Sequence, residues 1–344
     1  MKKKIRSLEF KNDELYLIDQ RVLPQKYEKF ICKNYKDVEF AISDMVVRGA
    51  PAIGVTAAYG VVLAAIEFIE LPLNNFLRKM QTACDILNNS RPTAVNLMWA
   101  IRRMRALLSG SNLPIEILRK LKMEADKIAD KDVKTNKRMG QLGNSLIPQK
   151  AVILTHCNTG ALATVEYGTA LGVIRAAFDD GKDIFVYADE TRPRLQGARL
   201  TAWELMQEGI PAKLIADNAA ASLIRDGKID LILVGADRIA INGDSANKIG
   251  TFMLSVVAKV YNIPFYIVAP TTTIDHEIET GKQIEIEERS KEEITQINGI
   301  QIAPENIEVY NPAFDVTPNE NITAIITEKG IIKKPFKANI LKLK

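Results

Sequence analysis

The second half of the chain alternates short apolar runs with longer segments of helical periodicity. The runs span residues 151–155, 184–188, 212–216, 229–234 and 264–269. The intervening segments 161–178, 197–208, 218–225 and 246–261 are predicted helices. Near-continuous apolar strands that alternate with helices are typical of a parallel sheet covered on both faces. Right-handed crossovers then predict an α/β fold class with a Rossmann-like, doubly wound sheet.

The first half has mostly helical periodicity. Segments 51–68, 75–88, 94–108 and 114–140 are predicted helices, and segments 7–10 and 14–18 are predicted strands of one hairpin. Gly, Asn, Ser and Pro gather over residues 143–150, which is typical of a boundary. We therefore predict a mainly helical domain with a small β-sheet over residues 1–142 and a Rossmann-like catalytic domain over residues 143–344.

Composition narrows the class of protein. The 46 basic and 42 acidic residues leave a net charge of +4, too even a balance for nucleic acid as the main partner. The apolar stretch 60–69 is short and contains Glu67, so we predict no membrane span. The first residues lack the apolar region of a secretory signal. Three cysteines without short spacing favour a cytoplasmic protein, and two histidines argue against a metal site built on histidine.

Polar residues follow the predicted strands at the edge of the sheet where ligands bind in this architecture. Cys157 precedes a predicted helix that begins near Gly160, and the helix dipole would favour its thiolate. The alternative is a small buried apolar residue. Asp237 follows an apolar run, where desolvation raises a carboxyl pKa and prepares a general acid. Its alternative is a turn cap or a salt bridge with Arg238.

Three places suit a phosphate group. The segment Arg48-Gly49-Ala50 precedes a long apolar helix whose first N–H groups can bind an anion. Asn247 and Lys248 lie at the predicted head of another helix, and Arg91 is a third cation. No dinucleotide fingerprint, phosphate-binding P-loop or serine nucleophile elbow occurs in the sequence. We predict a phosphorylated ligand, no cofactor and no metal.

Several ordered motifs are shared with a known family. They are RGAPAIG (48–54), SRPTAVNL (90–97), THCNTG (155–160), ETRPRLQGARLT (190–201), VGADRI (234–239), NGD (242–244) and NKIGT (247–251). Through them the chain closely resembles, over nearly its whole length, the methylthioribose-1-phosphate isomerases. These are related to ribose-1,5-bisphosphate isomerases and to the regulatory α, β and δ subunits of translation initiation factor 2B.

The resemblance implies an aldose–ketose isomerase that converts 5-methylthioribose 1-phosphate to 5-methylthioribulose 1-phosphate. It implies a homodimer and a role in methionine salvage, and hence in methionine biosynthesis. The implied catalytic pair is Cys157 and Asp237. The implied substrate contacts are Arg48, Gly49, Ala50, Arg91, Gln196, Asn247 and Lys248.

Two alternatives remain open. One is an isomerase of 5-deoxyribose 1-phosphate or ribose 1,5-bisphosphate, since an apolar C5 pocket would suit a thioether or methyl group and added cations would suit a phosphate. The other is a non-catalytic, nucleotide-sensing regulatory subunit. Such subunits typically lack the Cys/Asp pair, so its presence favours an enzyme. Transfer of hydrogen as a proton through an enediol or directly as hydride is also open.

Overall fold

The chain forms two compact units in a computed structural model that describes residues 5–91, 94–110 and 113–343. Among the described residues, one unit contains those from 5 to 138 together with 160–168. The other contains 139–159 and the residues from 169 onwards. We call them the helical unit and the Rossmann-like unit. The domain boundary between residues 142 and 143 stays a prediction.

The helical unit begins with a small antiparallel sheet in the order β1-β2-β3, followed by helices. Its elements are β1 (Leu8–Lys11), β2 (Glu14–Ile18), β3 (Lys29–Cys32), α1 (Tyr35–Ser43), α2 (Ala50–Glu67), α3 (Leu73–Asn89), α4 (Val95–Arg105) and α5 (Pro114–Asn144). The predicted hairpin is confirmed. Its turn places Asn12 and Asp13 at positive φ (51° and 59°), the conformation that a tight two-residue hairpin turn requires.

The core of the helical unit is built around α2. This 18-residue helix is long and apolar enough to cross a membrane by length and composition, and the stretch 60–69 considered in the sequence is only part of it. However, 78% of the helix is buried inside the protein, as in the core helix of a globular fold. Gly54 lets α4 approach closely, since a Cβ there would lie 2.8 Å from the carbonyl oxygen of Asn96.

The Rossmann-like unit contains a seven-stranded sheet in the order β16-β15-β10-β7-β4-β5-β6. Its helices are α6 (Ala170–Asp179), α7 (Ala202–Glu208), α8 (Ala219–Arg225), α9 (Thr251–Val260), α10 (Glu292–Thr295) and α11 (Phe336–Leu341). The strands of the large sheet are β4 (Lys150–Thr155), β5 (Asp183–Asp189), β6 (Ala212–Ile215), β7 (Leu231–Val234), β10 (Phe265–Val268), β15 (Ala324–Thr327) and β16 (Gly330–Ile332). The remaining strands are β8 (Arg238–Ala240), β9 (Ser245–Lys248), β11 (Ile274–Asp275), β12 (Gln296–Ile297), β13 (Ile300–Gln301) and β14 (Phe314–Thr317).

All five strands predicted in this half are confirmed, and they pair in parallel. The chain runs from β4 through β5 to β6 on one side, then returns to β7 on the other side of β4. This is the doubly wound Rossmann order. Successive strand residues such as Ile153 and Leu154 belong to hydrophobic clusters on opposite faces, so both faces of the sheet are buried at its centre. The edge strand β6 is largely exposed.

Two predicted helices begin later than expected. The helix predicted over 161–178 begins at Ala170, because residues 160–168 belong to the helical unit. The helix predicted over 246–261 begins at Thr251, because Ser245–Lys248 pair as β9 with β14. In both places the apolar composition is compatible with a helix. Contacts with residues distant in sequence, in the helical unit and in β14, favour a different conformation.

The carboxyl group of Asp132 predicts a pH dependence of stability. It accepts a hydrogen bond from the N–H of Val165 (2.8 Å), and burial raises its pKa to about 7. The folded protein therefore holds this proton more tightly than the unfolded chain does. Its contribution makes stability fall as pH rises from about 4 to about 7 and stay at the lower level above that. Asp132→Asn keeps an acceptor and removes the charge, so we expect its Tm to exceed that of the parent at about pH 8.5. We also expect the Tm of the variant to change less than that of the parent between about pH 5.5 and about pH 8.5.

Thermal denaturation followed by circular dichroism checks this expectation. The exposed Asp130→Asn on the same helix is the matched control and should leave the pH profile unchanged. If Asp132→Asn and the parent keep parallel profiles, the Asp132 carboxyl is not the group that titrates.

Candidate functional site

The two residues of the predicted catalytic pair follow adjacent strands of the large sheet. Cys157 lies two residues beyond the end of β4, and Asp237 lies three residues beyond the end of β7. These strands pair in parallel, with Thr155 opposite Leu233. Since the chain leaves β4 on one side and returns to it on the other, the gap between β4 and β7 is the switch point of the sheet. Ligands bind at such a point in open α/β sheets.

The main chain of Cys157 is in a left-handed conformation, with φ of 62°. Its N–H donates to Oγ1 of Thr191 (2.8 Å), and its carbonyl oxygen accepts from Oγ1 of Thr201 (2.6 Å). A non-glycine residue in this region is uncommon and worth a functional reading. No α-helix begins at Gly160: the chain forms only a three-residue 3₁₀ turn there, Ala161–Ala163, and α6 begins at Ala170. The long helix whose dipole was expected to favour the thiolate is therefore not at this position, and that argument is wrong.

The other cysteines differ from Cys157 in exposure. Cys32 and Cys84 are fully buried in the helical unit, and burial raises their pKa to about 12 and about 11. Cys157 is half-buried, which makes it the most exposed cysteine residue of the three. A reactive cysteine needs this access.

Asp237 is half-buried at the end of a fully buried apolar strand. Its N–H donates to the carbonyl oxygen of Ala246 (2.9 Å). The neighbouring Arg238 forms an ion pair with Asp275 (2.9 Å). Arg238, which the sequence suggested as a salt-bridge partner of Asp237, is therefore paired with the carboxylate of Asp275.

Asn247 and Lys248 lie in β9 rather than at the head of a helix. Lys248 is only 5% exposed, and its Nζ donates to the carbonyl oxygen of Ala313 (2.8 Å). The same Nζ lies 4.5 Å from the centre of the Phe314 ring, at a cation–π distance. Asn247 donates from Nδ2 to Oγ1 of Thr251 (3.0 Å). Both side chains are therefore held in defined positions.

The helix end that was expected to bind a phosphate already holds a carboxylate. Asp315 accepts hydrogen bonds from the N–H of Gly250 (2.7 Å) and of Phe252 (3.0 Å) at the start of α9. Burial raises the pKa of Asp315, although these two N–H groups oppose the effect. The N–H groups of Gly250 and Phe252 are therefore occupied, which argues against phosphate binding by this helix end. Substrate contact by Asn247 and Lys248 stays a prediction.

Gln196 lies between β5 and a short π-helical turn, Gly197–Thr201. Its side chain is 6% exposed, and its Oε1 has no hydrogen-bond partner among the residues that the structure describes. A buried acceptor without a partner suits a ligand hydroxyl group. Gly197 is required beside it, because a Cβ there would collide with the carbonyl oxygen of Asp189.

The remaining predicted contacts belong to the helical unit. Gly49, with φ of 99°, precedes α2, and within the described part of the chain no side chain caps the first turn of this helix. Arg48 is 9% exposed and Arg91 is half-buried. An uncapped helix N-terminus beside an arginine suits an anion. Motif residues 92–93 lie outside the described residues.

One polar group was missed by the sequence analysis. His156 is 1% exposed, with Nδ1 2.8 Å from Oδ2 of Asp189 and Nε2 2.9 Å from the carbonyl oxygen of Ile249. A carbonyl oxygen can only accept, so Nε2 carries hydrogen. Burial lowers the pKa of His156, but its bonds to Asp189 and Ile249 outweigh this and raise it. Burial also raises the pKa of Asp189, although its hydrogen bond to His156 opposes the effect.

This group does not fit a metal ion. His156, Asp189 and Asp217 bring potential ligand atoms within 4.8 Å of one another. However, both ring nitrogens of His156 are hydrogen-bonded, and Asp217 accepts from the N–H of Thr191 and of Arg192 (2.7 Å each). Asp189 Oδ1 alone lacks a partner in the described chain, and a metal needs more ligands than one oxygen. The sequence signal that could have found His156, Asp189 and Asp217 is their position at the carboxyl ends of β4, β5 and β6.

The chain is similar in sequence to known proteins over most of its length. The model of the Initiation factor 2 subunit family matches residues 46–334. A methylthioribose-1-phosphate isomerase of Thermoanaerobacter sp. (strain X514) is 70% identical over 99% of this chain and 100% of its own length. The protein of that name from Caldicellulosiruptor saccharolyticus is 57% identical over 99% of both chains.

Solved structures give the same result. A 5-methylthioribose 1-phosphate isomerase from Pyrococcus horikoshii OT3 is similar with a TM-score of 0.92 and 49% identity, over 98% of this chain and 95% of its own. A structure from A. fulgidus, described as translation initiation factor eIF-2B subunit delta, has a TM-score of 0.88 and 46% identity, over 98% and 99%. From the family match and these full-length similarities, the chain belongs to the Initiation factor 2 subunit family.

Proposed function

We propose that this chain is a methylthioribose-1-phosphate isomerase, which converts 5-methylthioribose 1-phosphate to 5-methylthioribulose 1-phosphate in methionine salvage. Full-length relatives of that name that are 70% and 57% identical support the proposal. The observation that carries it is the position of Cys157 and Asp237 after two adjacent strands, at the switch point of the sheet. That point offers a thiol and a carboxyl group to one ligand.

The chemistry of the substrate defines what these groups must do. Its C1 is locked as a phosphate-bearing hemiacetal, so the ring must open before the isomerisation. Opening requires a proton on the ring oxygen, and Asp237 at the end of an apolar strand is the proposed acid. Hydrogen must then move from C2 to C1 while the C2 hydroxyl loses its proton. Cys157 either carries that hydrogen as a proton or shapes the site for a direct hydride shift.

Candidate substrate contacts occur in the Rossmann-like unit and, separately, in the helical unit. Lys248 and Asn247 are buried and held in fixed positions, and Gln196 presents a buried acceptor. The uncapped first turn of α2, with the segment Arg48-Gly49-Ala50, and the cation Arg91 suit the phosphate group. These are the contacts that the family resemblance implies.

A regulatory subunit without catalytic activity is the second candidate. The similarity to the A. fulgidus structure described as translation initiation factor eIF-2B subunit delta favours it. The presence of both Cys157 and Asp237 favours the enzyme. Turnover of the sugar phosphate separates the two proposals directly.

We further propose a cytoplasmic homodimer that binds neither nucleic acid nor membrane. Three free cysteines support a reducing compartment, and the small net charge argues against nucleic acid. The exposed face of α9 supports self-association, because large apolar side chains at helical spacing are open to solvent on it. They are Phe252, Met253, Val256 and Val260. Exposed apolar surface of this kind is typical of an interaction site.

The first prediction concerns the catalytic pair. We expect the native chain to convert 5-methylthioribose 1-phosphate, as followed by phosphorus NMR. Loss of a general acid typically lowers kcat by about 10²- to 10⁴-fold, so we expect that loss for Asp237→Asn. Cys157→Ala should lose activity as well. The controls are Asp226→Asn, an exposed carboxylate, and Cys84→Ala, a buried thiol; both should keep kcat.

Turnover unaffected by either substitution would overturn the assignment of the pair. If the native chain does not convert this substrate, 5-deoxyribose 1-phosphate and ribose 1,5-bisphosphate are tested next. Failure with all three sugars would favour the regulatory subunit.

The second prediction concerns phosphate binding by Lys248. A hydrogen bond to a charged group is worth about 1.5–3 kcal/mol, so Lys248→Ala should raise KM roughly 10- to 100-fold while kcat changes little. Lys259→Ala removes an exposed lysine of α9 and is the matched control. Steady-state kinetics separate KM from kcat, and a KM equal to that of the control would exclude a phosphate contact by Lys248.

The third prediction concerns the homodimer. Light scattering should give about twice the chain mass of 38.3 kDa. Val256→Lys places a charge on the apolar face of α9 and should shift the protein towards monomer, since burying an unpaired charge is costly. Lys228→Glu, exposed outside this face, should leave the mass unchanged. A monomeric native chain would refute the dimer.

A further inference from the structure

We propose that Thr191 and Thr201 are positioning residues of the reaction. Their hydroxyl groups hold the main chain of Cys157 on both sides and thereby fix the direction of its thiol. Neither threonine is among the substrate contacts that the family resemblance implies. The inference rests on the proposed role of Cys157, and its test is designed to be informative without that role.

The first contact is at the N–H of Cys157. This N–H lies just past the end of β4 and donates to Oγ1 of Thr191 at 2.8 Å. The same hydroxyl donates to the carbonyl oxygen of Asp189 (3.1 Å) at the end of β5. The hydroxyl of Thr191 therefore bridges the ends of two neighbouring strands.

The second contact is at the carbonyl group of Cys157. Its oxygen accepts from Oγ1 of Thr201 at 2.6 Å. That hydroxyl also accepts from Nδ2 of Asn158 (3.2 Å), and Asn158 donates to the buried Glu204 (2.8 Å). Both threonines are completely buried, and each hydroxyl both donates and accepts within the protein. Such hydroxyls act on the orientation of Cys157 rather than on the substrate.

The backbone conformations of Cys157 and Thr191 require stabilisation by such hydrogen bonds. Cys157 and Thr191 have φ of 62° and 64°, and a β-branched residue at positive φ is a genuine outlier. Strain of this kind persists only where the surroundings over-determine the conformation. Asp217 supplies part of that constraint, because its carboxylate accepts from the N–H of Thr191 and of Arg192. A chain of hydrogen bonds thus runs from Asp217 through Thr191 to Cys157.

The experiment compares Thr191→Val with Thr191→Ser. Valine keeps the shape and removes both hydrogen bonds, whereas serine keeps the hydroxyl. A misplacement of about 1 Å can cost about 100-fold in rate, so we expect Thr191→Val to lower kcat roughly 10- to 100-fold, with KM nearly unchanged. Thr191→Ser should restore most of kcat. The matched control is Thr327→Val, since buried Thr327 also donates to one backbone carbonyl and accepts from one N–H.

The second readout is alkylation of Cys157 by iodoacetamide, followed by peptide mass spectrometry. It does not depend on isomerase activity, and the buried Cys32 and Cys84 serve as internal references. Releasing the main chain of Cys157 should speed its alkylation severalfold in Thr191→Val and leave it unchanged in Thr327→Val. If the native chain lacks isomerase activity, this readout still tests the inference.

Thr201→Val and Thr201→Ser make the same comparison for the hydrogen bond to the carbonyl oxygen of Cys157. They replace the first pair if Thr191→Val fails to fold by circular dichroism. Folded valine variants with native kcat and native alkylation rate would overturn the proposal. A serine variant as impaired as the valine variant would also overturn it, because the hydroxyl would then not be the group that matters.

Discussion

The carboxyl ends of the buried parallel strands impose the constraint on which this structure depends. Both faces of the large sheet are covered at β4 and β7, and His156 and Asp189 at the ends of β4 and β5 are buried, so the polar groups there must find partners inside the protein. They do so by pairing with one another, as in His156 with Asp189 and Asp217 with the N–H of Thr191. The loop that carries Cys157 is thereby held by hydrogen bonds to neighbouring polar groups, which is what a fixed catalytic geometry requires.

A buried ionic network also stabilises the loop that carries Cys157. Glu204 is completely buried and accepts from Asn158 (2.8 Å) and from Arg175 (2.6 Å), while Arg175 also pairs with Glu208. These bonds join α6 and α7 to the residue next to Cys157. Because removing one partner of a buried pair leaves an uncompensated charge, the network resists rearrangement. Rigid support of this kind places the reactive side chain reproducibly.

Two helix N-termini show how similar sequence features acquire different roles. The start of α9 is capped by Asp315, so its N–H groups already have an anion. The start of α2 has no such side-chain cap within the described residues. A helix end can hold a phosphate only where no carboxylate has taken its place. The partner of α9 is 65 residues away in the chain, which is why its sequence surroundings did not reveal it.

The sequence by itself determined the helical character of the first half, the five core strands of the second, and the polar clusters that follow them. It did so because burial and backbone hydrogen bonding leave a periodic pattern over a few neighbouring residues. Motif order also identified the family. Only the tertiary structure decided that residues 160–168 join the helical unit, that β4 and β7 are adjacent, and that two threonines hold Cys157. Those threonine contacts join residues that are 34 and 44 positions apart in the chain. Local sequence patterns do not predict hydrogen bonds between residues so far apart.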